Sequence, residues 1–275
     1  MLRFGTDGVR GLANVELTPE LVLALGRAAA RVLASPPGSE RRFIVGRDTR
    51  LSGPLLQAAL SAGLVSEGVD VTDVGVLATP GVAYLSAEQA APAAVISASH
   101  NRYWDNGVKF FSAGGSKLPD SVEDALEAEL EVLLSHPYPV PSSQPSKTGS
   151  AAGHALVGRM ETDAGALERY ERHVLFALGG RRLEGLRVAL DCANGAAFAS
   201  APAVFERAGA ELVAVLGSDP NGTNINENCG STDPGKLARA VVAEGADLGL
   251  AFDGDADRVI AVDDGGNVVD HDDTR

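Results

Sequence analysis

The sequence predicts an α/β protein: two similar α/β domains, each a mixed, mostly parallel sheet covered by helices. Three observations carry that reading. Short apolar segments alternate with stretches of helical period. The order strand, polar loop, helix, Gly, strand, helix, strand, polar loop runs from Phe43 to Asn101 and again from Leu186 to Arg258. Between the two runs lies SHPYPVPSSQPSKTGSAAG, residues 135–153, whose four prolines and clustered Ser and Gly read as an interdomain connection. Parallel strands need long crossovers, and the intervening helices supply them. The pattern divides the chain into two parts, one on either side of that connection.

Local chemistry justifies each element. Residues 18–34 read as a helix: Thr18 caps it, Pro19 takes the first position, and Glu20 suits the positive end. Leu21, Leu25, Ala28 and Val32 form its apolar stripe. A short buried strand follows at 43–46. Ser52 then caps a helix over 54–67, which Gly68 ends. Residues 69–74 are strand-like, 93–97 form another strand, and 98–107 form a polar loop. An amphipathic, Glu-rich helix spans 121–134. The second half repeats the scheme: helix 163–178, strand 186–191, helix 199–208 closed by Gly209, strand 211–216, helix 234–244 and strand 247–252. Ligands of such folds sit at the carboxyl ends of strands, where the loops 98–107 and 253–258 both fall.

Composition excludes several classes. The chain has 275 residues, 45% hydrophobic and 22% charged, an ordinary globular balance. With 23 Lys and Arg against 37 Asp and Glu, its net charge of −14 disfavours a duplex nucleic-acid binder. No uncharged apolar run reaches the ~18 residues of a membrane helix, and Met1–Gly5 lacks a signal peptide's apolar core. A cytoplasmic protein is expected. Cys192 and Cys229 stand apart without CxxC spacing, so neither a disulfide framework nor a zinc site is indicated.

Acid is concentrated at one end: from Asp247 onward there are nine Asp, no Glu and two Arg. The most specific segment there is Asp253-Gly254-Asp255-Ala256-Asp257-Arg258, directly after an apolar strand. Carboxylates at i, i+2 and i+4 converge on one point and repel by roughly 3 kcal/mol per pair at an effective dielectric near 20. A hard cation relieves that repulsion, and an oxygen-only ligand set suits Mg2+. Two other readings stand beside it, a solvated acidic turn and an EF-hand. The EF-hand wants Gly and Glu where this chain has Arg258 and Asp264.

Four further segments carry candidate chemistry. In Ile96-Ser97-Ala98-Ser99-His100-Asn101, Ser99 is either a loop hydrogen-bonder or, beside a metal loop, a phosphoryl carrier. Phe4–Gly11 (FGTDGVRG) is either a structural turn or a loop whose Arg10 grips a phosphate or carboxylate. In Asp105–Phe111 (DNGVKFF), Asn106-Gly107 reads as a tight turn and Lys109 as a strand residue or an acid/base. Gly46–Arg50 (GRDTR) places two arginines at a strand end, where salt bridging across domains is expected.

FGTDGVRG, GRDTR, ISASHN, DNGVKFF, DCANGA at 191–196 and DGDADR occur in this order, and together they resemble the α-D-phosphohexomutase superfamily. The flanking words GTDGVRG and DNGVKFF resemble its bacterial phosphoglucosamine mutase branch more than its phosphomannomutase/phosphoglucomutase branch. The likeness runs from Phe4 to about Asp270. It implies that 1–150 and 151–262 are that family's first two domains and that 263–275 open a third. It further implies a phosphoserine at Ser99 and a Mg2+ ion held by Ser99's phosphate with Asp253, Asp255 and Asp257. Arg10, His100, Lys109 and Arg258 would surround the transferring group, with Lys109 as acid/base.

The implied reaction interconverts glucosamine 6-phosphate and glucosamine 1-phosphate through a bound 1,6-bisphosphate, for UDP-N-acetylglucosamine synthesis. Glucose or mannose phosphates, or metal binding without turnover, are the alternatives. The implied partner is a small phosphosugar, with a homo-oligomer possible and neither nucleic acid nor membrane involved. Family members are longer and carry two further domains that clamp the sugar. Two residues depart from the family's pattern: Arg102 stands where Pro is usual, and Ala256 replaces a frequent Gly, which a negative φ would tolerate.

Overall fold

In the computed structural model, residues 8–34, 41–135 and 157–269 are described. They form two α/β units with mixed sheets flanked by helices. The first contains β1 (Val9–Leu12), α1 (Pro19–Val32), β2 (Arg42–Arg47), α2 (Gly53–Ser66), β3 (Asp70–Val76), α3 (Thr79–Gln89), β4 (Ala93–Ile96), β5 (Asp105–Phe111) and α4 (Asp120–Ser135). Then come β6 (Met160–Thr162), α5 (Ala166–Ala177), β7 (Arg187–Asp191), α6 (Ala197–Ala208), β8 (Glu211–Leu216), α7 (Gly235–Glu244), β9 (Leu248–Phe252), β10 (Val259–Asp263) and β11 (Val268–Val269).

The first sheet runs β1-β5-β4-β2-β3-β6 and the second β11-β10-β9-β7-β8. The helix-linked pairs β2/β3, β2/β4, β7/β8 and β7/β9 are parallel, as the crossover argument requires. The short connections β4/β5, β9/β10 and β10/β11 join antiparallel pairs. The loops after β4 and β9 therefore meet at the carboxyl ends of their sheets.

Helices cover both faces of the first sheet. Leu25, Phe43, Leu56, Leu60 and Leu126 fill one side, and Ile44, Val74, Val82 and Leu85 the other. Helices α1 and α2 cross in backbone contact: a Cβ on Gly26 would lie 2.2 Å from Leu60 O, and one on Gly63 2.2 Å from Leu23 O. Thr18 caps α1 as expected, its side chain accepting from Leu21 N at 3.3 Å. No helix among the described residues is long and apolar enough to cross a membrane.

Several expectations change. Ser52 makes no side-chain cap; its hydroxyl instead accepts from Asn106 Nδ2 at 2.8 Å. Asn106-Gly107 is no turn but part of β5, held between β1 and β4. Glycine is needed there for close approach, because a Cβ would meet Ser97 O at 2.7 Å and Val9 O at 2.9 Å. Strand β6, past residue 151, adds to the edge of the first sheet by pairing with β3. Residues 268–269 pair back onto β10 in the second sheet. The connection at 135–153 lies outside the described residues apart from Ser135, which ends α4.

Candidate active site: a serine between a guanidinium and an acidic cluster

Ser99 follows β4 on the loop at the carboxyl edge of the first sheet. It is 2% exposed and left-handed, with φ of 52°. A non-glycine residue in that region costs of order 1 kcal/mol or more and persists only where its surroundings impose it. Here the surroundings are a buried ion pair and its hydrogen bonds. Arg50 bonds Asp48 Oδ2 at 2.9 Å through Nε, and both side chains are fully buried. The rest of the guanidinium gathers the loop's carbonyls: Ser99 O at 2.8 Å, Asn101 O at 2.9 Å, Asp105 O at 3.2 Å, and Arg102 O. Asp48 Oδ2 also accepts from Ser97 Oγ at 2.6 Å, and Ser97 Oγ accepts in turn from Ser99 N at 2.9 Å.

The expected interdomain salt bridge by Arg47 or Arg50 is therefore replaced. Arg50 pairs within its own unit, because Asp48 lies two residues away in the same strand-end turn. Arg47 bonds Gln57 at 2.8 Å. Thr49 and Leu51 make the crossing instead, through Thr49 Oγ1 to Asn194 O at 2.5 Å and Leu51 N to Gly222 O at 2.8 Å.

The second unit presents the acidic loop after β9. Ser99 Oγ donates to Asp253 Oδ2 at 2.6 Å and accepts from Arg258 Nη2 at 2.8 Å. Arg258 also pairs with Asp253 Oδ2 at 2.9 Å. Lys109, reaching over from β5, bonds Asp255 Oδ2 at 2.7 Å and Asp257 Oδ2 at 3.1 Å. Thr79, at the start of α3, donates to the same Asp255 oxygen at 2.7 Å.

Asp253, Asp255 and Asp257 each offer an oxygen, all within 4.8 Å of one another. Asp255 Oδ1 is buried with no hydrogen-bond partner, although Oδ2 has two. An orphaned carboxylate oxygen in an all-oxygen cluster is what a hard cation would satisfy, so the residues fit such an ion. Ala256 adopts φ of 56°. The condition of a negative φ is not met, and the residue sits in the left-handed region that favours glycine.

Electrostatics follow the geometry. Burial first, then the neighbouring Asp255 charge, pushes Asp253 above the usual carboxylate range. Burial acts the same way on Asp257 but is outweighed, first by Lys109, so that Asp257 lies low. Burial would lower Lys109, yet Asp255 and then Asp257 hold it up as an ammonium. His100 is pushed down by partial burial, then by Arg258 and Arg10. Its Nδ1 faces Arg258 Nη2 and lies 3.5 Å from Ser99 Oγ, so Nδ1 accepts and Nε2 carries the proton.

Ser99, His100, Lys109, Asp257 and Arg258 border one cleft of about 460 Å³, together with Arg10 on β1. Its wall of Arg10, Lys109, Lys117 and Arg258 suits an anionic group. Arg10, Ser99, His100, Lys109, Asp257 and Arg258 thus line one place, with buried Asp253 and Asp255 bonded to Ser99 and Lys109. Three were missed: Arg50 as the loop's anchor, Thr79 against Asp255, and Asn226, whose Nδ2 donates to Ser99 O and Asn101 O at 2.9 Å each. Only Arg50 carried a signal, as a charged residue at a strand end. The side chain of Arg102, where the family usually has Pro, reaches Glu227 Oε1 at 3.9 Å.

Comparison with known proteins shows what the chain resembles. Residues 1–135 match the model of phosphoglucomutase/phosphomannomutase alpha/beta/alpha domain I, and 168–266 that of domain II. A phosphoglucosamine mutase of Desulforudis audaxviator is 55% identical over 270 residues, covering 98% of this chain and 57% of the relative. One of Rhodococcus opacus is 54% identical over 271 residues, covering 98% and 58%. The chain therefore spans less than two thirds of these relatives' length. Among solved structures, a putative phosphomannomutase of Thermus thermophilus superposes with a TM-score of 0.74 at 26% identity, covering 97% of this chain and 58% of that one.

Proposed function

The chain belongs to the phosphoglucomutase/phosphomannomutase family, and from that premise we propose that it carries the phosphoryl-transfer centre of a phosphoglucosamine mutase acting in the cytoplasm. One observation supports this most: Ser99 Oγ lies between Asp253 Oδ2 at 2.6 Å and Arg258 Nη2 at 2.8 Å, at the mouth of a basic cleft. A structural loop serine needs neither partner.

In the proposed reaction Ser99 carries a phosphoryl group. The bond from phosphorus to Ser99 Oγ breaks as the bond to O1 of glucosamine 6-phosphate forms, giving glucosamine 1,6-bisphosphate. Lys109 gives its proton to Oγ as that oxygen leaves, and the amine so formed takes up the O1 proton. After the sugar turns over, its 6-phosphoryl group returns to Ser99 by the same exchange, and glucosamine 1-phosphate departs.

The chain's own residues supply charge and position, which is most of what phosphoryl transfer requires. Arg10, Lys109 and Arg258 neutralise the equatorial oxygens. Lys109, kept as an ammonium before transfer, is the acid/base of that exchange, and His100, with Nδ1 3.5 Å from Ser99 Oγ, helps surround the transferring group. Asp253, Asp255 and Asp257, with the serine's phosphate, would hold Mg2+. When bound, that ion would withdraw charge from the transferring group and relieve repulsion among the aspartates.

The test is intact mass after incubation with Mg2+ and glucosamine 1,6-bisphosphate. One added phosphoryl group on the wild-type chain and none on Ser99→Ala is expected. Faster uptake from glucose or mannose 1,6-bisphosphate would shift the substrate class. No uptake by folded chain would leave only a metal-binding pair of domains.

A further inference from the structure

We propose that Asn226 is an interdomain positioning residue, a latch through which the second unit holds Ser99 in its reactive turn. The inference rests on the reading of Ser99 as phosphoryl carrier for its consequence, but its structural content stands alone.

Ser99 O and Asn101 O are each gripped twice. Arg50 of the first unit reaches them at 2.8 and 2.9 Å, and Asn226 of the second unit reaches them at 2.9 Å each. Both partners of Asn226 are carbonyls, so only the amide nitrogen can face them, and the orientation of the side chain is unambiguous. Asn226 itself is 5% exposed, sits at φ of 56°, and is fixed by its N–H to Ala193 O at 2.9 Å. Its Oδ1 is buried without a partner.

A residue kept for packing would not leave half its amide unsatisfied in the interior, which is destabilising. The retained half is the one that touches the serine loop. The metal-binding loop passes against the same spot: a Cβ on Gly254 would lie 2.5 Å from Ser99 O and 2.8 Å from Asn226 Nδ2. Serine loop, acidic loop and latch are therefore in register only when the two units are docked. Ser99 Oγ is presented to Asp253 and Arg258 by a loop that Arg50 holds from within the first unit and Asn226 holds from the second.

Two variants test this on the whole chain. Asn226→Asp keeps the shape and aims a carboxylate oxygen at the two carbonyls; Asn226→Ser is the milder change should the first fail to fold. Two readouts are taken. Hydrogen exchange followed by mass spectrometry reports amides 97–104 without any sugar phosphate present. A time course of intact mass with glucosamine 1,6-bisphosphate and Mg2+ reports phosphoryl uptake.

The expected result is exchange at 97–104 faster by about tenfold, with β7 and β9 and the melting temperature little changed, and uptake slower by about ten- to a hundredfold. A merely structural role would instead raise exchange throughout the second sheet. Unchanged exchange at 97–104 in both variants overturns the latch. So does loosened exchange with uptake at the wild-type rate. If the wild-type chain itself takes up nothing, the functional reading fails, and the exchange data alone decide the latch.

Discussion

Replacing Asp255 by Asn should barely change the stability of the metal-free chain and should abolish its response to Mg2+. The opposing terms can be sized from the structure. Asp255 faces Asp253 and Asp257 at no more than 4.8 Å, which at an effective dielectric of about 20 is at least ~3.5 kcal/mol of repulsion per pair, or ~7 kcal/mol in all. The same carboxylate attracts Lys109 at 2.7 Å, worth ~6 kcal/mol on that scale. Removing the charge therefore loses and gains nearly equal amounts. The Thr79 and Lys109 hydrogen bonds persist, because the amide oxygen of Asn accepts as well.

The metal-free variant should thus melt within a few degrees of wild type. A bound cation at a hundred times its dissociation constant stabilises by ~2.7 kcal/mol, about 5–10 °C for a chain of this size. Thermal melts with MgCl2, against KCl at matched ionic strength, read the difference directly. Wild type should gain those degrees and Asp255→Asn should not. An equal Mg2+-dependent gain in both proteins would refute a role for Asp255 Oδ1 as a cation ligand.

Arg50 and the cysteines give two further expectations. Arg50→Lys keeps the charge but loses the planar fork that spans Asp48 and four carbonyls; it should fold, while phosphoryl uptake at Ser99 falls by about ten- to a hundredfold. Arg50→Ala strands Asp48, 0% exposed, without its counter-ion and should cost about 3–5 kcal/mol in urea unfolding. Uptake at the wild-type rate in Arg50→Lys would sink the anchoring argument. Burial, then Asp191, pushes Cys192 up to about 12 and Cys229 up to about 11. Unfolded thiols titrate near 8.5, so above about pH 9 the unfolded state holds fewer protons and stability falls as pH rises toward those values. Urea unfolding at pH 8, 9.5 and 10.5 should show that decline, and Cys192→Ala/Cys229→Ala should flatten it; identical slopes would count against buried neutral thiols.

The candidate site was legible where its chemistry is local. Asp253, Asp255 and Asp257 crowd into five residues, so their mutual repulsion is a property of the loop itself. Ser99 and His100 follow a four-residue apolar strand, and that position places them at a sheet's carboxyl edge. Elements ruled by i, i+4 periodicity and caps were readable for the same reason: α1, with Thr18 and Pro19, begins where expected, and β7, β8 and β9 match to within a residue. Elements lacking an apolar alternation were not readable. All three residues of β6 are exposed, and it becomes a strand only because β3 offers an edge. Asn106-Gly107 carries the signature of a turn, yet the close approach of β1 and β4 on either side makes glycine a spacing requirement within a strand.

By itself, then, the sequence determined the class of fold, the two polar loops and the acidic cation cluster, because each arises from neighbours in the chain. Only the tertiary structure decided how the serine is held and aimed. Arg50 lies 49 residues from Ser99, Asn226 lies 127 away and Asp253 lies 154 away. Arg50 reaches the serine through the folding of the first unit, whereas the Asn226 and Asp253 bonds form only when the two units pack together. Periodicity along the chain carries no information about such distances. The left-handed turn at Ser99, unfavourable in isolation, is maintained by packing rather than by its own residues.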